Sequence, residues 1–558
     1  MTALSLRFWT PTLFALLSLF PMGPPAHATS SVTAQAPADS ARRGIVWAPP
    51  TAPDEALADL QRIAQAGADA VRLLRPPPDT VLAHADTLGL SLYVDLPVAH
   101  VPASALADSL RAAEPALDRL TRLAARHEAL QFIGLAHHAD TTVPTACETL
   151  SRWSERIATE SGLGTYYVTP FQRAADRCGG AVDQVLLDLH GQPTPHEQWQ
   201  AWAANAPPET GIGALGTWTD PAAAPGLHSP HSAERQARYL ENALPPLLET
   251  APSAPSVVFV YRWRDADRPV PSVRRYGLHT SSGTARPAAR VVNGLFTGTQ
   301  RVFAFPSGTP AATAPHGLLL LSWLLLAVLG GLYAGRPFVR QTVNRYFRSH
   351  GFYRDAIREG RDVEVGTTAV VLSTVTVALG LMGVSAAQSA AAAPSTEHLL
   401  AAVPDALRSM LILGIEHPAG TGVAVGGAVL WLLLFWTTAL VVVARRQGPF
   451  SLPQGLMLVT WPCWPILPAL PLALVAHDQP PVGMPVLSAL LLLAGLGAMA
   501  YFTIRVLLDY RSVTDLSWAV VAPLALLSPP VLILLGTGAL GAWLHVPVRF
   551  LWRLATLT

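Results

Sequence analysis

The chain has no lysine; all 38 of its Lys and Arg positions are arginine. That absence excludes a lysine Schiff base and a P-loop phosphate site, both of which need the primary ammonium. Acidic and basic side chains nearly cancel, 37 against 38, so a nucleic-acid partner has no electrostatic support. Cysteine is scarce. Cys147, Cys178 and Cys463 stand at no metal-ligand spacing, and an odd number cannot all pair within the chain. A Cys147–Cys178 disulfide in an oxidising compartment and isolated thiols are both open readings. Charge is also short: 13% of residues are charged against 51% hydrophobic, too apolar for a soluble protein of 558 residues.

The apolar residues are unevenly spread. At the N-terminus, Arg7, an apolar run from Phe8 to Phe20 and the small-residue site Ala26-His27-Ala28 form the pattern of a secretory signal peptide. Residues 1–28 are therefore expected to be removed, with an uncleaved anchor as the alternative. Residues 29–43 are rich in Ala, Ser and Pro and read as a linker. The segment after this linker is expected outside the cytoplasm.

From Gly44 onward, short apolar runs alternate with amphipathic stretches. Strands are predicted at 44–49, 70–76, 90–97, 130–138, 164–170, 183–191, 210–218 and 256–263. Helical patterns lie at 54–66, 104–126, 145–161 and 232–249. Eight apolar strands alternating with helices predict a (β/α)8 TIM barrel, an α/β fold, over residues 44–300. A doubly wound open sheet is the alternative, but no Gly-rich loop comes after the first strand.

Several segments carry a resemblance. IGALGTW (212–218) is similar to the seventh strand of retaining glycosidase barrels, IGEFGTW, with Ala214 where the nucleophilic glutamate stands. FIGLAHHAD (132–140) is similar to the fourth strand, IGLxNEP, with His137 and His138 replacing the Asn-Glu pair. DLQRIAQAGADAVRLL (59–74) looks like the entry to strand two, and RYGLHTSSGTARPAARVV (275–292) like the closing segment, with Arg286 in its lysine position. On these motifs the chain resembles clan A glycoside hydrolases, notably families two and five. The resemblance implies that Arg72 takes the place of the arginine that hydrogen-bonds the nucleophile. It also makes His190 the sixth-strand histidine, without the usual following tyrosine. Trp263, with Asp265, becomes the tryptophan that floors the sugar subsite. Trp47, Tyr93, Trp218 and Tyr261 are further candidates for a sugar-stacking platform.

Retaining hydrolysis needs two carboxyl groups about 5 Å apart, and both positions have lost theirs. Asp95, Asp140, Asp188, Asp220 and Asp265 lie at or beyond strand ends, and a displaced pair among them would make an atypical hydrolase. His137, His138, His190 and Asp188 suit zinc by ligand type. The neighbours His137 and His138 should diverge at strand period two, however, and no H-x-H or HExxH pattern accompanies them. The expectation is therefore no metal and no cofactor, with the histidines satisfied locally.

After a linker at 301–316, six apolar spans are predicted: 317–335, 366–387, 422–444, 454–475, 484–508 and 516–541. Each is long enough for a ~30 Å hydrocarbon core. Loop 336–365 carries seven arginines from Arg336 to Arg361, and loop 445–453 carries Arg445 and Arg446. Loops 388–421 and 476–483 hold only Arg408. The positive-inside rule puts 336–365 and 445–453 in the cytoplasm and the barrel outside. The segment 344–360 is basic and amphipathic and is expected along the inner lipid surface. TWPCWPILPALP (460–471) places proline every three residues and must break its helix. A basic preamble before five spans at 366–544 resembles the Yip-type membrane family, and 545–558 is expected to be an interfacial tail.

The leading expectation is an integral protein of the inner or plasma membrane. Its degenerate glycosidase barrel would bind a glycan or a protein partner in the cell envelope. The alternatives are an atypical glycosidase using displaced carboxylates, and a transport or membrane-organising function in the bundle.

Overall fold

The computed structural model describes residues 41–204, 209–249, 254–266, 274–309, 317–361, 363–467, 470–471, 485–544 and 546–556, with backbone alone at 485–494 and 556. The expected signal peptide and most of the linker after it lie outside the described residues. Eight strands form: β1 (Arg42–Trp47), β2 (Ala70–Leu73), β3 (Ser91–Asp95), β4 (Leu130–His137), β5 (Gly164–Thr169), β6 (Gln184–Asp188), β7 (Thr210–Leu215) and β8 (Val257–Tyr261). All pair in parallel in chain order, and β8 returns to β1 to close the barrel. Each strand overlaps one of the eight predicted segments, and β1 starts two residues ahead of its own, at Arg42 inside the expected linker.

Period two sorts the side chains. On β8, Val257 and Phe259 enter the barrel interior with Tyr93, Tyr166 and Leu186, whereas Val258 and Val260 face the surrounding helices. The helical layer comprises α1 (Pro53–Gln65), α2 (Asp79–Leu88), α3 (Ala103–Ala112), α4 (Glu114–Ala124), α5 (Pro144–Ser161), α6 (Pro195–Ala203), α7 (Ala233–Glu249) and α8 (Pro287–Thr297). Proline opens α1, α4, α5, α6 and α8, where its fixed φ suits the first turn and its missing N–H costs nothing. The single helix expected at 104–126 is divided into α3 and α4 by Pro115 for the same reason. Cys147 and Cys178 form a disulfide that ties α5 to the loop after β5, and Cys463 remains a buried thiol.

The C-terminal half is helical: α9 (Gly317–Gly335), α10 (Pro337–Arg348), α11 (His350–Arg358), α12 (Val365–Ala392), α13 (Ser395–Ala401), α14 (Asp405–Glu416), α15 (Pro418–Ala444) and α16 (Leu452–Thr460). Helices Pro485–Thr514, Pro529–Trp543 and Val548–Thr556 come after them. The expected six spans are corrected. Among the described residues three helices, α9, α12 and α15, are long and apolar enough to cross a membrane. A fourth exists only if 518–527 and 529–543, bent by 54°, count as one span. The bend sits at Pro529-Pro530, which cannot continue the preceding helix. The proline run ends α16 at Thr460, where a 3-10 turn at 461–463 takes over. Arg505, Asp509 and Arg511 load the second half of Pro485–Thr514 with charge. The span count behind the Yip-type resemblance shrinks with the correction.

Small residues bring α12 and α15 together: a Cβ on Gly422 would stand 2.4 Å from Val384 and 2.9 Å from the Gly380 carbonyl. At the far end of α12 the chain turns through Ala393 and Pro394 into α13, which seats on the barrel mouth.

Candidate functional site

The deepest layer of the mouth is an ion pair. Arg72 on β2 is fully buried and forks onto Asp95 of β3, with Nε 3.2 Å from Oδ1 and Nη2 2.6 Å from Oδ2. Its Nη1 donates to the Gly213 carbonyl at 2.9 Å, and the Tyr166 hydroxyl donates to Asp95 Oδ1 at 2.5 Å. Gly134 leaves room for this, because a Cβ there would lie 2.7 Å from both Asp95 Oδ1 and the Tyr166 ring. Burial opposes the Arg72 charge, but Asp95 outweighs it and holds the guanidinium protonated; burial and Asp95 together push the Tyr166 phenol well up. Ala214 is buried and in register with Asp188, and it offers Arg72 no acceptor. The arginine takes a backbone carbonyl and Asp95 instead.

Above this layer stand histidines. His138 comes directly after β4 with φ of +58°, a left-handed backbone that non-glycine residues adopt at a cost. The turn defeats the expected divergence: the His137 and His138 ring centroids are 3.8 Å apart. His138 Nδ1 lies 2.9 Å from His100 Nε2, and His138 Nε2 lies 2.6 Å from Asp188 Oδ2. The other carboxylate oxygen of Asp188 is 2.6 Å from His190 Nδ1 and accepts the His190 backbone N–H at 3.0 Å. Burial would raise the Asp188 carboxyl, but His190 and His138 outweigh it and hold it well below the usual carboxylate range. His190 is correspondingly pushed up, against burial, by Asp188 and Glu397. Burial, then the neighbouring His138, keeps His100, His137 and His398 neutral.

In the third layer the helical C-terminal half meets the barrel. Arg274, 1% exposed, donates to Glu397 of α13 at 2.9 Å and to the carbonyls of Ala391 and Ala393 at 2.6 and 2.8 Å. The Tyr276 hydroxyl donates to the same Glu397 oxygen at 2.8 Å, and His190 Nε2 lies 3.6 Å from the other. Burial would raise the Glu397 carboxyl, but His190 and Arg274 lower it on balance. The His398 ring sits 4.3 Å from that of His138 and 5.0 Å from that of His190. At the rim, Arg274 lies over Trp218, whose other partner is the stacked ring of His231 at 3.5 Å. From the last helix, Arg553 reaches Asp140 at 3.1 Å.

Of the residues singled out in the sequence, His137, His138 and His190 converge with Asp188, Arg72 lies beneath them, and Trp218 stands at the rim. Trp263 and Asp265 take other partners. Trp263 is 4% exposed and packs on His279 at 4.2 Å, while Asp265 binds Arg286 at 2.6 Å and the Gly277 N–H at 2.8 Å. His100, Arg274, Tyr276, Glu397 and His398 were not anticipated. The one available signal was Glu397-His398, an ionisable pair in an otherwise Ala-rich segment.

The remaining carboxylates are all engaged: Asp95 by Arg72, Asp140 by Arg553, Asp188 by His138 and His190, Asp220 by the Ala222 N–H, Asp265 by Arg286. Three overlapping groups bring possible metal-ligand atoms within 4.8 Å of one another: His100, His138 and His398; His137, His138 and Asp188; Asp188, His190 and His398.

No protein-family model matches the sequence, and no curated protein is similar to it. Solved structures with similarity include a GH2 β-galacturonidase from Eisenbergiella tayi bound to galacturonate, at 16% identity over 47% of this chain and 52% of that one, with a TM-score of 0.41. A Bifidobacterium dentium β-glucuronidase complexed with coumarin-3-O-glucuronide is 13% identical over 46% of this chain and 47% of that one, TM-score 0.41. A Ruminococcus gnavus β-glucuronidase in complex with D-glucaro 1,5-lactone is 14% identical over 46% and 50%, TM-score 0.39. The chain spans about half the length of these enzymes.

Proposed function

We propose that this chain is a membrane-anchored, non-hydrolytic glycosidase-like barrel of the cell envelope, which binds a glycan at its rim. The observation that carries this reading is the state of the carboxylates. The two positions the resemblance assigns to catalysis hold His138 and Ala214, and every displaced candidate is engaged by a cation, an imidazole or a backbone amide. A retaining mechanism needs two carboxyl groups about 5 Å apart, and neither assigned position carries one. The mouth above them is occupied by Glu397 and His398, so a sugar would bind at the rim, against the exposed edges of Trp218 and His231, both of them partly exposed.

An extracytoplasmic barrel is supported by three features. Cys147–Cys178 is a bond of oxidising compartments. Arginines crowd the segments 336–361 and 445–446. The docking of α13 on the mouth requires the segment between α12 and α15 to lie on the barrel's side of the membrane.

The full-length protein in detergent, tested on 4-nitrophenyl glycosides and on a glycan array, should show no turnover and should bind a defined glycan, with binding lost in Trp218→Ala. Turnover that disappears in Asp188→Asn would overturn the reading in favour of an atypical hydrolase. Absence of any glycan binding would sink the ligand assignment.

A further inference from the structure

We infer that His138, Asp188, His190 and His398 form a site for one divalent transition-metal ion of the zinc class, which staples α13 to the barrel mouth. The donors come from three places in the chain: the end of β4, the end of β6 with the loop after it, and α13. Asp188, His190 and His398 bring ligand atoms within 4.8 Å of one another, all three residues being buried; His138 shares a second such group with His137 and Asp188, and a third with His100 and His398. Three imidazoles and one carboxylate are ligands that zinc accepts in a tetrahedral shell.

The orientation of the donors points the same way. His138 Nε2 and Asp188 Oδ2 are 2.6 Å apart and shielded from solvent, yet they are out of line for a hydrogen bond to each other. Both atoms are thus left without a hydrogen-bond partner, and a cation beside them would satisfy both. Opening that pair to a tetrahedral edge of about 3.3 Å at ordinary Zn–N lengths takes less than about 1 Å of movement. The His398 ring is buried and has no hydrogen-bond partner among the described residues.

The surrounding groups are those a metal-bound histidine needs. A ligating imidazole is held through its other nitrogen, which fixes tautomer and direction. His100 occupies the Nδ1 side of His138 at 2.9 Å and leaves Nε2 to face Asp188. Glu397 stands 3.6 Å from Nε2 of His190 and leaves Nδ1 facing Asp188. Glu397 is itself held by Arg274 and Tyr276, so its charge is already balanced. Four protein donors would close the shell and leave no position for water or substrate, which makes this a structural ion.

The test uses the full-length chain without an affinity tag of histidines, purified in detergent with no chelator. Elemental analysis should find about one zinc per chain. After stripping, added Co2+ should give the visible bands of a tetrahedral ion, and restored zinc should raise the thermal midpoint. His398→Ala lies on α13 and leaves the barrel strands intact; it should weaken cobalt affinity at least tenfold while the Cys147–Cys178 disulfide and the barrel's circular dichroism persist. Asp188→Asn serves as the second variant. Stripped protein that takes up neither Co2+ nor Zn2+ overturns the inference. So does stoichiometric uptake unchanged in both variants, which would put the ion elsewhere. Neither outcome bears on glycan binding.

Discussion

Arg274 shows how much one side chain carries at the mouth. Its guanidinium meets a carboxylate and two backbone carbonyls from the far side of the barrel mouth, and its face covers Trp218. Removing it strands the largely buried Glu397 without its nearest cation, a loss of roughly 3–5 kcal/mol for a buried pair broken on one side. Arg274→Ala should therefore speed hydrogen exchange in 391–401 and leave the strands protected. Arg274→Lys should rescue little, because a point ammonium cannot fork across three acceptors. His127 carries a pH dependence. Its ring lies 2.6 Å from Asp86 and 2.8 Å from Asp79, and these carboxylates raise its pKa against the opposing effect of burial. A folded-state pKa above the unfolded value stabilises below about pH 6.5 and loses that contribution as pH rises through the folded pKa. The drop in thermal midpoint caused by His127→Ala should be larger at about pH 5.5 than at about pH 9.

Among the elements, the strands were the most legible, because eight short apolar runs at regular spacing need only local pattern to be read. The break between α3 and α4 was missed although Pro115 was in view, since proline in the first turn starts a helix as readily as it ends one. The disulfide spans 31 residues, and the double variant Cys147→Ser/Cys178→Ser should cost about 3–4 kcal/mol in chemical denaturation, from the loop entropy returned to the unfolded chain. Between α12 and α15 the backbones approach too closely for a side chain at Gly422. Gly422→Val should destabilise the pair by roughly 1–3 kcal/mol, seen as a lower melting temperature in detergent. The membrane count was less legible than the barrel. Apolar length is read by composition, but proline breaks and the 54° bend decide whether a run is one straight span.

On the scale of the whole molecule, the barrel mouth and the segment after α12 form one structure. Placing glutamate at both positions the resemblance assigns to catalysis, His138→Glu with Ala214→Glu, should give no turnover on nitrophenyl glycosides, because α13 still occupies the mouth and Arg72 is committed to Asp95. Appreciable hydrolysis by that double variant would mean that α13 moves aside readily. The sequence by itself determined the barrel, its strand order and the absence of glutamate at two strand ends, since these come from local periodicity and residue identity. It could bring His137, His138, His190 and Asp188 to one end of one barrel. Only the tertiary structure decided what faces them. The Arg274–Glu397 contact joins residues 123 apart, and His398 reaches His138 across a longer stretch of chain. A contact between a strand end and a short helix beyond a long apolar helix leaves no periodic trace in either segment. It exists because Arg274, buried and needing acceptors, finds them in the carbonyls at the C-terminal end of α12 and the carboxylate that α13 presents.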